Sequence, residues 1–216
     1  MNGVKVIIGI LFLSIFFTSC DDDSYDLGNY WVNLATVSIA DNNTAYFLLD
    51  NGKSLYNGEN PPAISLSKGD RVWLNYTYLD VTTPGFDNTI KINWITPVTR
   101  GELRGVSKIT ADTLKNDPII LQSVWTGSHF LNISFSFNFH SVPHTISLVT
   151  DSLEVNDKNI SIYFRHNINN DPEGSKRNVI ASFDLEKVLG LPQKDRKLFV
   201  NFNTDNYGYK TFELDY

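Results

Sequence analysis

Leu131-Asn132-Ile133-Ser134-Phe135-Ser136-Phe137-Asn138-Phe139 alternates apolar and polar side chains at every step. Successive side chains of a β-strand point to opposite faces, so this segment reads as a strand with one face in a core and one facing water. A helix would mix the two parities on every side of its axis. The same period recurs downstream at Ile146 to Val149, Ile160 to His166, Val179 to Leu185, Leu198 to Phe202 and Phe212 to Tyr216, with polar turns between. Six or seven such strands imply an antiparallel β-sandwich over residues 118–216. Leu185 to Leu191 is the one helical turn, ended by Gly190 and Pro192.

Upstream, a second set of short alternating segments covers Trp31 to Ile39, Ala45 to Leu49, Arg71 to Tyr78 and Ile90 to Ile95. In the third, Val72, Leu74, Tyr76 and Tyr78 take one face and Arg71, Trp73, Asn75 and Thr77 the other. Asp50-Asn51-Gly52 supplies the positive φ of a hairpin turn. About five short strands in so few residues suit a small closed barrel of the OB type, placed at residues 30–98. Residues 99–117 have weak periodicity and dispersed charge and read as a junction. The fold class is therefore all-β, a small OB-type barrel followed by an antiparallel β-sandwich.

The amino terminus carries an address. Lys5, the apolar run Val6 to Phe17 and the small polar pair Thr18-Ser19 form the three parts of a secretory signal over residues 1–19, too short to span a bilayer. Phe17-Thr18-Ser19-Cys20 resembles a bacterial lipobox, with Phe17 in place of the usual Leu. The resemblance makes Cys20, the one cysteine of the chain, the acylated anchor, carrying chains such as palmitate into a membrane. Residues 20–29 form an acidic tether in which Asp21, Asp22 and Asp23 resemble the export signal that sends lipoproteins to the outer face of the outer membrane. A solvated linker on a periplasmic protein is the plainer alternative.

Charge and motif content narrow the chemistry. The chain has a formal charge of −6, and residues 29–98 hold four basic against six acidic side chains. An OB-type barrel that bound single-stranded nucleic acid would need a basic groove, so nucleic acid is not an expected partner. With a single cysteine no disulfide can staple the fold. There is no G-x-S-x-G, H-E-x-x-H, P-loop or C-x-x-C pattern, and no cofactor is expected. Trp73, beside Arg71 on the polar face of its strand, could stack on a sugar ring or a partner protein, or pack against the C-terminal domain. Trp94 and Trp125 read as core. The polar loop from Asn167 to Asn178 has oxygen ligands for calcium but not the spacing of an EF-hand.

His144 and His166 both fall in the apolar phase of their strands. If those strands form a hairpin closed by Asp151 to Lys158, paired residue numbers sum to 308 or 310, which puts the two imidazoles opposite or one diagonal step apart. Such a pair could bind metal or do acid–base work. A buried histidine is more often held neutral by a hydrogen bond, so His144, His166, Asn167 and Asp171 are expected as a structural polar cluster, with Asn167 or Asp171 fixing the following loop.

Trp31 to Ile39, the Asp50-Asn51-Gly52 turn, Gly69-Asp70-Arg71-Val72, Trp125 to Ile133, His144-Thr145-Ile146-Ser147-Leu148 and Phe164-Arg165-His166-Asn167 through Asp171 together resemble the NigD-like lipoproteins. The resemblance implies an OB-type domain followed by a β-sandwich, and a suggested role in immunity to a bacteriocin, with no catalytic residues to carry over. The expected function is thus non-enzymatic recognition of a protein or glycan by a surface-exposed, lipid-anchored protein of the outer membrane. The alternatives are a metal-dependent or hydrolytic enzyme centred on His144 and His166, or a structural component of an outer-membrane complex.

Overall fold

The structure, a computed structural model, describes residues 29–41, 44–59 and 64–216. The expectations for Cys20 and for Asp21, Asp22 and Asp23 lie outside them. Five strands, β1 (Trp31–Ile39), β2 (Ala45–Leu49), β3 (Ser54–Asn57), β4 (Arg71–Tyr78) and β5 (Asn88–Pro97), close a barrel in the order β1-β2-β3-β5-β4. Closure comes from β1 pairing with β4 and from the parallel pair β3–β5. Val37, Phe47, Leu55, Val72, Leu74 and Ile90 fill the interior. Gly52, at φ +84°, makes the β2–β3 turn that an L side chain would strain. Trp94 is not core: it is 43% exposed. Asn75 faces Trp94 but Tyr76 faces Ile92, so Asn93 is an extra residue in β5. That bulge flips the phase, sending Ile95 inward and Trp94 out.

The C-terminal body contains β6 (Thr99–Val106), α1 (Lys108–Thr113), β7 (Ile120–Gly127), β8 (Phe130–Phe139), β9 (Thr145–Asp151), β10 (Asn159–Asn167), β11 (Ser175–Asp184), α2 (Glu186–Leu189), β12 (Lys197–Thr204) and β13 (Gly208–Asp215). Among the described residues these strands form one eight-stranded sheet in the order β13-β12-β10-β9-β6-β11-β8-β7. The sheet folds over a single core and its ends meet. Ile119 bridges Thr204, and the Thr126 hydroxyl donates to the Asp215 carbonyl at 3.0 Å. Leu131, Ile133 and Phe135 of β8 pack inward as their alternation requires, with Phe135 edge-on to Phe164 at 5.2 Å.

The first part of the stretch expected as a junction, Thr99–Val106, is a central strand. β6 inserts between β9 and β11, parallel to both, and a further parallel pair, β10–β12, makes the sheet mixed rather than purely antiparallel. On the parity of β6 that contains Leu103, only Gly101 and Leu103 are removed from solvent; Thr99 and Gly105 at its ends are exposed. The apolar signal is weak there because glycine occupies one of those two covered positions. At Gly101 a Cβ would come within 2.6 Å of the Phe183 ring. β9 and β10 do form the expected hairpin, with His166 opposite Ile146. Paired numbers therefore sum to 312 and not 308 or 310, which leaves His144 one diagonal step from His166.

Candidate functional site

Two concavities bring chemically capable side chains together. The larger, about 640 Å³, lies between barrel and sandwich. Trp73 and Trp94 enter it from the barrel surface, on adjacent strands in diagonal register. Gln122, Ser134, Asn178 and Arg177 enter from the sandwich. The three uncharged groups are linked: Ser134 Oγ donates to Gln122 Oε1 at 2.7 Å, and Gln122 Nε2 donates to Asn178 Oδ1 at 3.1 Å. Two indoles beside an ordered amide row can stack on a flat apolar face and hydrogen-bond its polar edge. Trp73 is half-buried and also lines a second depression shared with Trp125, so it faces both the groove and the C-terminal domain.

Arg71 is not a ligand contact. Its side chain is fully buried, because the sandwich covers the part of the barrel surface where it stands. The guanidinium donates to Asp50 Oδ1 at 2.7 Å and Oδ2 at 3.0 Å, to Thr36 Oγ1 at 3.0 Å, to Asn132 Oδ1 at 3.3 Å and to Ser182 Oγ at 3.3 Å. Its Cζ sits 4.2 Å over the Phe130 ring. Barrel and sandwich are thereby joined through one buried, hydrogen-bonded charge pair. Arg100 adds a second link, donating to the Gly69 carbonyl at 2.9 Å. The groove walls are held by these contacts.

The smaller concavity, about 310 Å³, contains the histidine pair. His144 Nδ1 and His166 Nε2 are 2.9 Å apart, and the ring centroids 5.0 Å. His144 Nε2 lies 3.3 Å from Asp171 Oδ2, and His166 Nδ1 lies 3.3 Å from the Asp117 carbonyl. Phe137 covers both rings, 4.5 Å from His144 and 5.2 Å from His166. Asp171 receives the backbone N–H groups of His140 at 2.7 Å, Ser141 at 2.9 Å and Val142 at 2.7 Å. Burial opposes ionisation of Asp171, but those three N–H groups and the His144 ring hold its carboxyl well below the usual carboxylate range. Burial first, and the neighbouring His144 second, push the His166 imidazole below its ordinary value. Asn167 stands one step away. Its Oδ1 accepts the Asn169 N–H at 2.9 Å, shaping the turn in which Asn169 and Asn170 take positive φ. The outer nitrogens of the two rings meet a carboxylate and a backbone carbonyl while the inner ones face each other, which orients imidazoles and activates no hydroxyl.

Sequence reasoning missed Asp50, Asn132 and Ser182, which look like ordinary turn or wet-face residues until the other domain covers them. It also missed Asp117, whose contribution is a main-chain oxygen. His129, Asp184 and Glu186 form a third group whose ligand atoms lie within 4.8 Å of one another, but Arg100 already stands 3.3 Å from Asp184.

The profile of the NigD-like N-terminal OB domain matches residues 34–98, and that of the NigD-like C-terminal beta sandwich domain matches residues 103–216. No curated protein matches. Among solved structures, a protein of unknown function from Bacteroides vulgatus is 25% identical with a TM-score of 0.76, covering 87% of this chain and 91% of its own. A putative toxin-related protein from Parabacteroides distasonis is 26% identical with a TM-score of 0.71, covering 87% and 93%. A NigD-like immunity protein from Bacteroides caccae shares the fold at 20% identity and a TM-score of 0.58, covering 85% and 90%.

Proposed function

The chain belongs to the NigD-like family, and from that membership we propose that it acts by recognition and not by catalysis, with immunity to a bacteriocin as the specific form of that role. In this reading it is a lipoprotein anchored through Cys20, carried by Asp21, Asp22 and Asp23 to the outer face of the outer membrane. The observation that carries the recognition reading is the groove between the two domains. Its size suits a ligand or a partner's side chains, its indoles offer the contacts on which binding energy concentrates, and the Arg71–Asp50 pair keeps its walls in place. The partner is a protein or a glycan, engaged at Trp73 and Trp94.

The test is protection. Bacteriocin-sensitive cells expressing the full chain are challenged with a panel of bacteriocin preparations, alongside cells expressing Trp94→Ala at equal level. Protection by the parent that is lost in the variant supports the reading. Absence of protection across the panel removes the immunity role, and protection that survives Trp94→Ala removes the groove.

Two further experiments address the location. Cys20→Ala is expected to abolish fatty-acid labelling and leave the protein soluble, since the anchor precedes the first strand. Replacing Asp21, Asp22 and Asp23 by Ala is expected to keep the lipid but remove the protein from the reach of protease added to intact cells. Unchanged labelling in the first case, or unchanged accessibility in the second, contradicts the corresponding assignment.

A further inference from the structure

We propose that His144 and His166 are ligands of a divalent transition-metal ion of the zinc class, held between Nδ1 of the first and Nε2 of the second. The protons of the two rings point to it. A neutral imidazole carries one N–H. His166 Nδ1 lies against the Asp117 carbonyl at 3.3 Å, and carbonyl oxygens only accept. His144 Nε2 lies 3.3 Å from the Asp171 carboxylate, which is an acceptor as well. Each ring therefore spends its single N–H outward, and the two remaining lone pairs face one another at 2.9 Å. The His144 side chain is 2% exposed and His166 is 1% exposed, so bulk water relieves little of the repulsion. A cation between the nitrogens turns it into two bonds.

Metal-binding histidines are ordinarily oriented in this way, with the outer N–H given to a carboxylate or a backbone carbonyl. At metal–nitrogen bonds of about 2.0–2.1 Å, the observed separation fits a right-angled bite, and a tetrahedral one needs a ring rotation that opens it by roughly 0.4 Å. A shared proton would also satisfy the two lone pairs. What favours a metal ion is the space beside them: the cavity of about 310 Å³ leaves room for water to complete the coordination, since among the described residues no carboxylate oxygen groups with both nitrogens within 4.8 Å. Imidazole nitrogen suits zinc and its neighbours. The proposal is independent of the immunity role and of the interdomain groove.

The experiment is a cobalt(II) titration of the chelator-stripped full chain, followed by displacement with zinc(II), with imidazole ¹⁵N signals recorded in parallel. One equivalent is expected to bind, giving visible d–d bands that zinc removes, with the ¹⁵N signals of His144 and His166 both moving. His144→Gln and His166→Gln are each expected to weaken binding by roughly 100-fold or more, beyond the effect of losing an outer partner. His129→Gln and His140→Gln are expected to leave it unchanged. Absence of cobalt and zinc binding by the folded parent overturns the proposal. So does binding abolished by His129→Gln or His140→Gln, or a ¹⁵N spectrum of a proton-sharing pair that metal does not alter. If the two ligand variants fail to fold, the ¹⁵N shifts of the parent decide the question.

Discussion

At Arg71 a full set of donors is satisfied at the cost of removing a guanidinium from water. Breaking a buried pair by deleting one partner typically costs about 3–5 kcal/mol, because the remaining charge is left uncompensated. Asp50→Ala is therefore expected to lower the free energy of unfolding by about that amount in urea. The double variant Arg71→Met, Asp50→Leu is expected to lose less than the single one, since no orphan charge remains. Tyr216 makes a second prediction. Its hydroxyl donates to the Gly190 carbonyl at 2.7 Å, and burial, with Arg196 opposing and Asp184 and Glu186 adding, pushes its ionisation up to about 12. A folded state that holds a proton more tightly than the unfolded chain keeps that contribution below pH about 10 and loses it as the pH rises towards 12. Tyr216→Phe is expected to flatten the fall in urea midpoint between those values. The histidine pair was legible as a proximity because both residues share parity with apolar neighbours. Arg71 was legible only as a polar-face residue, because nothing local to β4 records that another domain covers that face.

Elements meet across the domain boundary at one tight notch. A Cβ at Gly127, the last residue of β7, would stand 2.4 Å from Asp50 Oδ2 and 2.9 Å from Asp50 Cβ. The glycine thus lets the β2–β3 turn approach the sandwich closely enough for Asp50 to reach Arg71. Gly127→Ala is expected to displace that turn and cost about 1–3 kcal/mol, the usual penalty for overpacking, with the barrel core unaltered. Urea unfolding of the full chain gives the cost, and Asp50 methylene shifts by NMR give the displacement. Most strands were legible because alternation survives wherever one face is wet. Two features escaped for separate reasons. In β5 an inserted residue reversed the phase halfway along, so Trp94 was assigned to the wrong side. In β6 Leu103 is the one buried side chain, with Gly101 beside it, and a strand with a single buried apolar residue leaves no hydrophobic period to find.

Over the whole molecule, β6 makes the two bodies interdependent, since only Val98 separates it from the last strand of the barrel. A fragment beginning at residue 118 lacks the strand between β9 and β11 and leaves two half-sheets with open edges. It is expected to show no cooperative urea transition and no near-ultraviolet dichroism, whereas a fragment beginning at residue 99 is expected to show both. Cooperative unfolding of the shorter fragment would mean that β9 and β11 can pair directly. The position of β6 also sets a timetable. Leu103 meets Leu148 and Gly101 meets Phe183, partners 45 and 82 residues further along the chain. Loop closure over such spans must precede any gain from the contacts they make, which places assembly of the larger sheet among slow, high-contact-order reactions of milliseconds to seconds. The barrel, whose strands find their neighbours within a few tens of residues, has the shorter search. A chain folding from its amino terminus therefore passes through a period in which the barrel is closed while β6 waits, unpaired on both sides, for most of the remaining sequence, and the aggregation hazard of this protein is concentrated in that interval.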